Sequence, residues 1–265
     1  MISLRTDKLL AHVSDGVGYI TFNQPERHNA MSLEMWQALG DSMEVFDADE
    51  SVRAVVLTGA GGKAFVSGAD ISEFEAQRAN EEQRVQYGKV AGRGYGALAR
   101  CRKPVIAMIR GYCLGGGLVI ALAADLRFAT SGSKFGVPAA KLGLGYDYPG
   151  VAALSRLVGP ARAADILYSA RHLTAEEALS YGLIEFVSED AQLEDNVREY
   201  VAKVVQNAPL TIRAVKASLQ AFARYSQRTD LQEVEGMVSA CYESEDYREG
   251  RRAFMEKRRP EFRGR

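Results

Sequence analysis

Ile109-Arg110-Gly111-Tyr112-Cys113-Leu114-Gly115-Gly116-Gly117-Leu118 runs from an apolar strand into a helix through three consecutive glycines, and its reading decides the fold. Glycine at such a junction lets the main chain approach a ligand with no Cβ in the way. The start of the helix that follows leaves N–H groups unpaired and presents the positive end of the helix dipole. A developing oxyanion is the natural guest. Taken alone, the segment is also explained by glycines that merely permit tight packing of helix on strand. A second segment, Ala64-Phe65-Val66-Ser67-Gly68-Ala69-Asp70-Ile71, follows a strand and a turn, and the two together are far more specific.

Around these segments the hydrophobic period changes repeatedly. Leu9 to Val13 and Val17 to Phe22 are apolar and β-branched on either side of Asp15-Gly16, which predicts a hairpin. Asn29 to Asp47 carries Leu33, Trp36, Leu39, Met43 and Phe46 at helical spacing, with Ser32 placed to cap. Ala54 to Thr58 and Pro104 to Ile109 read as buried strands, Glu81 to Arg100 as a surface helix, and Gly115 onward as another helix. Leu126 to Ala129 and the surroundings of Phe135 are short strand candidates.

Beyond about Val151 the pattern is almost wholly helical. Thr174-Ala175-Glu176-Glu177 is a capping box and Gly182 sits where its helix should stop. Ala191 to Gln206, Pro209 to Arg224 and Thr229 to Arg258 follow as helices, the last with breaks. Strands alternating with helices, then helices alone, predict an α/β core with a helical extension.

Composition sets the limits. The chain has 265 residues, is 47% hydrophobic and 25% charged, and carries 33 basic against 34 acidic side chains. That is ordinary for a globular protein and gives no basic excess for nucleic acid. Cys101, Cys113 and Cys241 are too few and too scattered for a disulfide framework or a zinc site, and are expected to be small buried hydrophobes. The first ten residues lack the apolar core of a signal peptide, and no window approaches the ~18 apolar residues of a membrane span. The expectation is a cytoplasmic protein without a metal.

Several familiar signatures fail. Gly59-Ala60-Gly61-Gly62-Lys63 misses the phosphate-loop spacing, and Gly92-Arg93-Gly94-Tyr95-Gly96 lies inside a helix with no strand before it. No serine sits in a G-x-S-x-G elbow. His12, His28 and His172 form no metal pair, and loop packing is the expectation for His28.

The chain strongly resembles the crotonase family, the enoyl-CoA hydratases and isomerases, nearly end to end. The resemblance rests on Asn23 to Ala30, Val55 to Gly59, Phe65 to Ile71, Lys103 to Ala107, Gly111 to Gly117 and Phe254 to Arg258. It implies a crotonase-like spiral of β-β-α turns with a helical C-terminal trimerisation region, divided at 1–200 and 201–265, in a trimer or hexamer. It implies an acyl-CoA substrate, with coenzyme A as part of the substrate and no separate cofactor. By position, Ala69 and Gly116 match the two oxyanion-hole residues. Arg27 matches a basic residue that touches CoA, and Ser67, Asp70 and Ile71 fall on the strand lining the adenine end. Phe254 and Lys257 match residues that reach a neighbouring subunit's CoA. The segment from Tyr247 to Arg265 carries eight Arg or Lys against three Glu, equally readable as a solvated face.

The sequence departs from the family's hydratases at both catalytic glutamates. Val119 holds the place two residues after the glycine triplet, and Ala139 the place after Pro138 in Phe135-Gly136-Val137-Pro138-Ala139. Neither side chain can move a proton. One acid remains nearby: Asp147, eight residues beyond Ala139, at a place resembling that of the catalytic aspartate in dienoyl-CoA isomerases and 4-chlorobenzoyl-CoA dehalogenases. The dehalogenases' accompanying Trp and His are missing, as is the isomerases' glutamate. Asp147 has two readings, an acid/base with a raised pKa in an apolar pocket or a cap for the helix near Tyr148-Pro149. Tyr146 and Tyr148 flank it as candidate lining of the acyl pocket. The reading is an acyl-CoA enzyme that stabilises a thioester oxyanion with Asp147 as acid/base. Its rivals are an ordinary hydratase with an unusual acid/base and a CoA-binding family member without catalysis.

Overall fold

The computed structural model describes residues 2, 4–70, 81–142, 146, 148–224, 236, 240 and 243–265. The hairpin forms as expected: β1 (Leu9–Ser14) pairs antiparallel with β2 (Val17–Phe22). Asp15 and Gly16 both take positive φ at the turn. Helix α1 (Leu33–Ala48) begins behind its expected cap, with Ser32 accepting the first-turn N–H of Met35, and Asn29 before it is left-handed.

The chain then repeats one unit. A strand in one sheet, β3 (Ala54–Gly59), is followed by a short strand in a second, β4 (Ala64–Val66), and by α2 (Glu81–Arg100). The next turn is β5 (Val105–Ile109), β6 (Tyr112–Leu114) and α3 (Gly116–Ala123). The third is β7 (Leu126–Thr130), β8 (Lys134–Gly136) and a 3-10 turn, Pro138–Leu142, before α4 (Tyr148–Val158). These three turns are the β-β-α spiral. The chain continues through α5 (Pro160–Ser169), β9 (Leu173–Thr174), α6 (Ala175–Tyr181), β10 (Phe186–Ser188), α7 (Leu193–Gln206), α8 (Pro209–Arg224) and α9 (Glu245–Glu256).

The larger sheet has the order β1-β2-β3-β5-β7-β10 and the smaller β4-β6-β8-β9. From β2 to β10 the larger sheet is parallel, and such sheets need cover on both faces. That explains the unbroken apolar runs. Val55, Leu57, Val105, Ala107 and Ile109 enter the main core with Met35, Leu39 and Phe46 of α1. Ala54, Val56, Ile106 and Met108 point the other way, onto Leu193, Val197 and Val201 of α7. The period of two assigns the faces.

Local signals at α6 hold in detail. Thr174 accepts from the Glu177 N–H, the Glu177 carboxylate accepts from the Thr174 N–H, and Gly182 closes the helix at φ 74°. Cys101 and Cys113 are free and buried; Cys241 lies outside the described residues. No helix among the described residues is long and apolar enough to cross a membrane.

Candidate functional site

The two glycine segments meet where β4 and β6 end side by side. Strand β4 runs out at Val66, and Ser67 to Asp70 continue as irregular chain rather than as the strand expected there. A single parallel bridge joins Ala69 to Met31. In it the Met31 N–H donates to the Gly68 carbonyl at 2.8 Å and the Asp70 N–H donates to the Met31 carbonyl at 3.0 Å. Residues 68 and 70 thus bond toward Met31, and Ala69, between them, presents its N–H the other way. That N–H has no partner among the described residues.

Gly116 opens α3, so its N–H is one of the four that a helix start leaves without an intrahelical acceptor. It too has no partner among the described residues. Gly115 before it takes φ 50°, ψ −115°, where a side chain is strained, and donates its own N–H to the Gly136 carbonyl. A Cβ on Gly116 would stand 3.8 Å from the Ala69 nitrogen and 3.7 Å from the Gly68 carbonyl carbon. The two free N–H groups therefore share one small opening. Gly117 serves a different need: a Cβ there would sit 2.0 Å from the Val66 carbonyl oxygen, so only glycine lets α3 lie against β4.

A polar cluster holds the loop beside this opening. Asn29, fully buried with φ 55°, accepts from the Gln24 N–H and donates to the carbonyls of Ala60 and Ala64. Asp70 is 7% exposed and accepts from Arg27 Nη1 at 3.0 Å and from Gln24 Nε2 at 3.3 Å. Half of the Arg27 side chain remains in solvent. The carboxylate thus fixes the guanidinium beside the stretch of chain that carries Ala69. Sequence reading placed Arg27 and Asp70 here but missed Gln24 and Asn29. The available signal was that asparagine tolerates the left-handed conformation and bonds to nearby backbone.

The places of the missing glutamates lie on the same ground. Val119 is half-buried on the first turn of α3, and Ala139 packs against the core one residue beyond Pro138, whose Cδ would be 3.9 Å from a Cβ on Gly115. Tyr146 packs inward, its ring against Gly150, where an added Cβ would meet it at 2.8 Å. Tyr148 does not join it: as first residue of α4 it is 80% exposed. Asp147 and Ile71 lie outside the described residues, as does the Phe254 side chain. Ser67, half-buried, follows β4 and donates its N–H to the His28 carbonyl. Lys257 is exposed and left-handed just after α9.

Burial pushes the Cys113 thiol, in β6 near the opening, far above its ordinary pKa, so it is a neutral hydrophobe and not a nucleophile. His28 is exposed and meets Tyr112 edge-on, as His172 does from a further point on the ring's surroundings, a surface packing role. Among the described residues no three His, Cys, Asp or Glu are grouped to hold a metal.

The profile of the enoyl-CoA hydratase/isomerase family matches residues 12–265. A short-chain-enoyl-CoA hydratase of Clostridium acetobutylicum is 34% identical over 92% of this chain and 93% of its own. A carnitinyl-CoA dehydratase of Salmonella arizonae is 35% identical over 92% and 94%. The crystal structure of an enoyl-CoA hydratase/carnithine racemase from Magnetospirillum magneticum superposes with a TM-score of 0.91 at 36% identity, covering 98% of this chain and 97% of that one. The chain belongs to the enoyl-CoA hydratase/isomerase family, and its fold is the crotonase fold.

Proposed function

We propose that this enzyme binds an acyl-CoA so that the thioester oxygen accepts from the Ala69 and Gly116 N–H groups, and that Asp147 moves the proton. The observation that carries this reading is the pair of unpartnered N–H groups sharing one opening between Gly68 and Gly115. As charge passes from Cα to the thioester oxygen, both bonds strengthen, and the enolate is favoured over the ground state. Because relatives are named hydratases and dehydratases, an enoyl-CoA is the first substrate to test. Water would add at C3 as Asp147 takes its proton, giving the thioester enolate, and Asp147 would return a proton to C2. With Val119 and Ala139 in place of both glutamates, one carboxylate serves both steps, and double-bond isomerisation is the variant in which no water enters.

CoA recognition in this reading uses Arg27, set by Asp70, beside Ser67 and Ile71, with Phe254 and Lys257 reaching a neighbouring copy's ligand. Tyr146 shapes the acyl pocket. Self-association, in a trimer or hexamer, is supported by the face of α8 that leaves Val215, Leu219 and Phe222 53%, 63% and 80% exposed. The test is turnover of a panel of enoyl-, dienoyl- and β-keto-acyl-CoAs by wild type and Asp147→Asn. The reading expects one class of substrate to be turned over by wild type and that rate to fall by about 10²-fold or more in the variant. Equal rates in both would remove Asp147 from the mechanism. Tight acyl-CoA binding with no turnover of any substrate would favour a binding protein instead.

A further inference from the structure

A second polar cavity lies at the opposite end of the larger sheet's central strands from the opening described above. The catalytic segments follow the ends of β3 and β5 at Gly59 and Ile109, whereas this cavity sits at their starts, beside Arg53 and Lys103. It is closed by the turn from α7 into α8 and by the C-terminal residues Arg263 and Gly264. Its volume is about 80 Å³. A single water needs only ~10–15 Å³ of such space, so the cavity has room for a tetrahedral oxyanion.

Its walls carry Arg53, Arg102, Lys103, Arg213 and Arg263 against one carboxylate, Glu50. Some of this charge is answered locally. Arg102 is held by Asp47, and Arg263 lies 4.0 Å from Glu261 in a largely exposed pair. The rest is not. The Arg53 Nη1 atom is buried without a hydrogen-bond partner among the described residues, while Nη2 donates to the Phe262 carbonyl. Arg213 makes no ion pair or hydrogen bond among the described residues. Lys103 is 7% exposed, and its ammonium donates to the carbonyls of Phe46 and Asp49 but to no carboxylate. The Asp49 carboxylate itself faces the N–H and hydroxyl of Ser51. Burial lowers the Lys103 pKa, Asp47, Cys101 and Asp49 offset part of that, and nearby Arg213 adds to the lowering. The 16-residue helix α8 also begins here, at Pro209, adding the positive end of its dipole.

A buried guanidinium nitrogen without an acceptor is costly, and so is a crowd of like charges. A dianion with several acceptor oxygens relieves both at once, and the arginine fork suits a tetrahedral oxyanion. We propose that this cavity is a binding site for a phosphate-class dianion, separate from the acyl-CoA site and held by Arg53, Lys103 and Arg213. The ligand is the free ion or the phosphoryl group of a larger phosphomonoester, and neither source depends on the catalytic reading above.

The test compares inorganic phosphate with chloride at equal pH and ionic strength, by thermal unfolding and titration calorimetry. Phosphate should raise the unfolding midpoint of wild type above that in chloride. Arg213→Gln and Arg53→Gln should each weaken phosphate binding roughly tenfold or more, the loss of one charge-assisted contact. Without phosphate, Arg213→Gln should be no less stable than wild type, since it only relieves crowding, and acyl-CoA turnover should be unchanged. Arg27→Gln, at the acyl-CoA site, should keep the full phosphate response. AMP binding more tightly than phosphate, and lost in Arg213→Gln, would assign the source as a phosphomonoester; the reverse order would assign the free ion. Equal effects of phosphate and chloride, a response intact in both cavity variants, or a response lost in Arg27→Gln would overturn the proposal.

Discussion

Replacing Gly116 and Gly117 by alanine, one at a time, separates two roles that adjacent glycines play. Neither residue has positive φ, so an alanine is not strained by backbone conformation at either place. At Gly117 the new Cβ would lie 2.0 Å from the Val66 oxygen and 2.8 Å from the Val66 carbonyl carbon. Carbon–oxygen contacts normally stop near ~3.3 Å, so α3 and β4 would have to part by roughly an ångström. Both are backbone, with no flexible end to yield. The expected cost is at or above the upper end of the ~1–3 kcal/mol seen for overpacking.

At Gly116 the nearest atoms would be 3.7, 3.8 and 3.9 Å away, ordinary contacts, and alanine favours a helix over glycine by up to about 1 kcal/mol. Stability should hold or rise slightly. The methyl would, however, crowd the position that an oxygen accepting from Ala69 must occupy at ~2.9 Å. The turnover loss should match removal of one oxyanion donor, about 10²–10³-fold. Thermal unfolding and the rate on the preferred acyl-CoA measure the two effects separately. A Gly117→Ala protein as stable as wild type, or a Gly116→Ala protein active within a few-fold, would refute the reasoning.

Three further outcomes follow from the packing. Arg127, its side chain 3% exposed, pairs with Glu185 and donates to the carbonyls of Ala121 and Ala124 at the end of α3. Glu185→Ala strands that charge and should cost about 3–5 kcal/mol by urea unfolding, while a loss below ~1 kcal/mol would mean the carbonyls alone suffice. Thr174→Ala removes half of the capping box of α6 and should cost about 1 kcal/mol, with activity unchanged. Burial pushes the Cys101 thiol up to about 11 and the Cys113 thiol higher still. Both should therefore resist a thiol reagent at pH 8 until the protein is denatured, which peptide mapping of the labelled protein would check.

The sequence spoke most clearly where local chemistry decides the structure. Thr174, Glu177 and Gly182 carry their own cap, and the apolar runs at Val55 and Ile106 could only be strands buried on both faces. The second sheet was harder to see, because β4, β6, β8 and β9 have three residues or fewer, too short for any period to register. The Ser32 cap was legible, whereas the left-handed His28 and Asn29 just before it, which serve the loop that holds Arg27, left no periodic signal. Which of Tyr146 and Tyr148 turns inward depends on Gly150 beneath the ring, a tertiary contact with no linear signature. The same holds for the cationic cavity, whose Arg53, Lys103 and Arg213 come from three distant stretches of chain.

The central claim is that Ala69 and Gly116 polarise the thioester carbonyl. The most direct measurement is the isotope-edited infrared carbonyl stretch of bound enoyl-CoA labelled with ¹³C at the thioester carbon. Two hydrogen bonds from the free N–H groups should move the stretch to lower frequency than in solution, and Gly116→Ala should return most of that shift. A carbonyl that absorbs at its solution frequency when bound to wild type, or a shift untouched in the variant, would contradict the account.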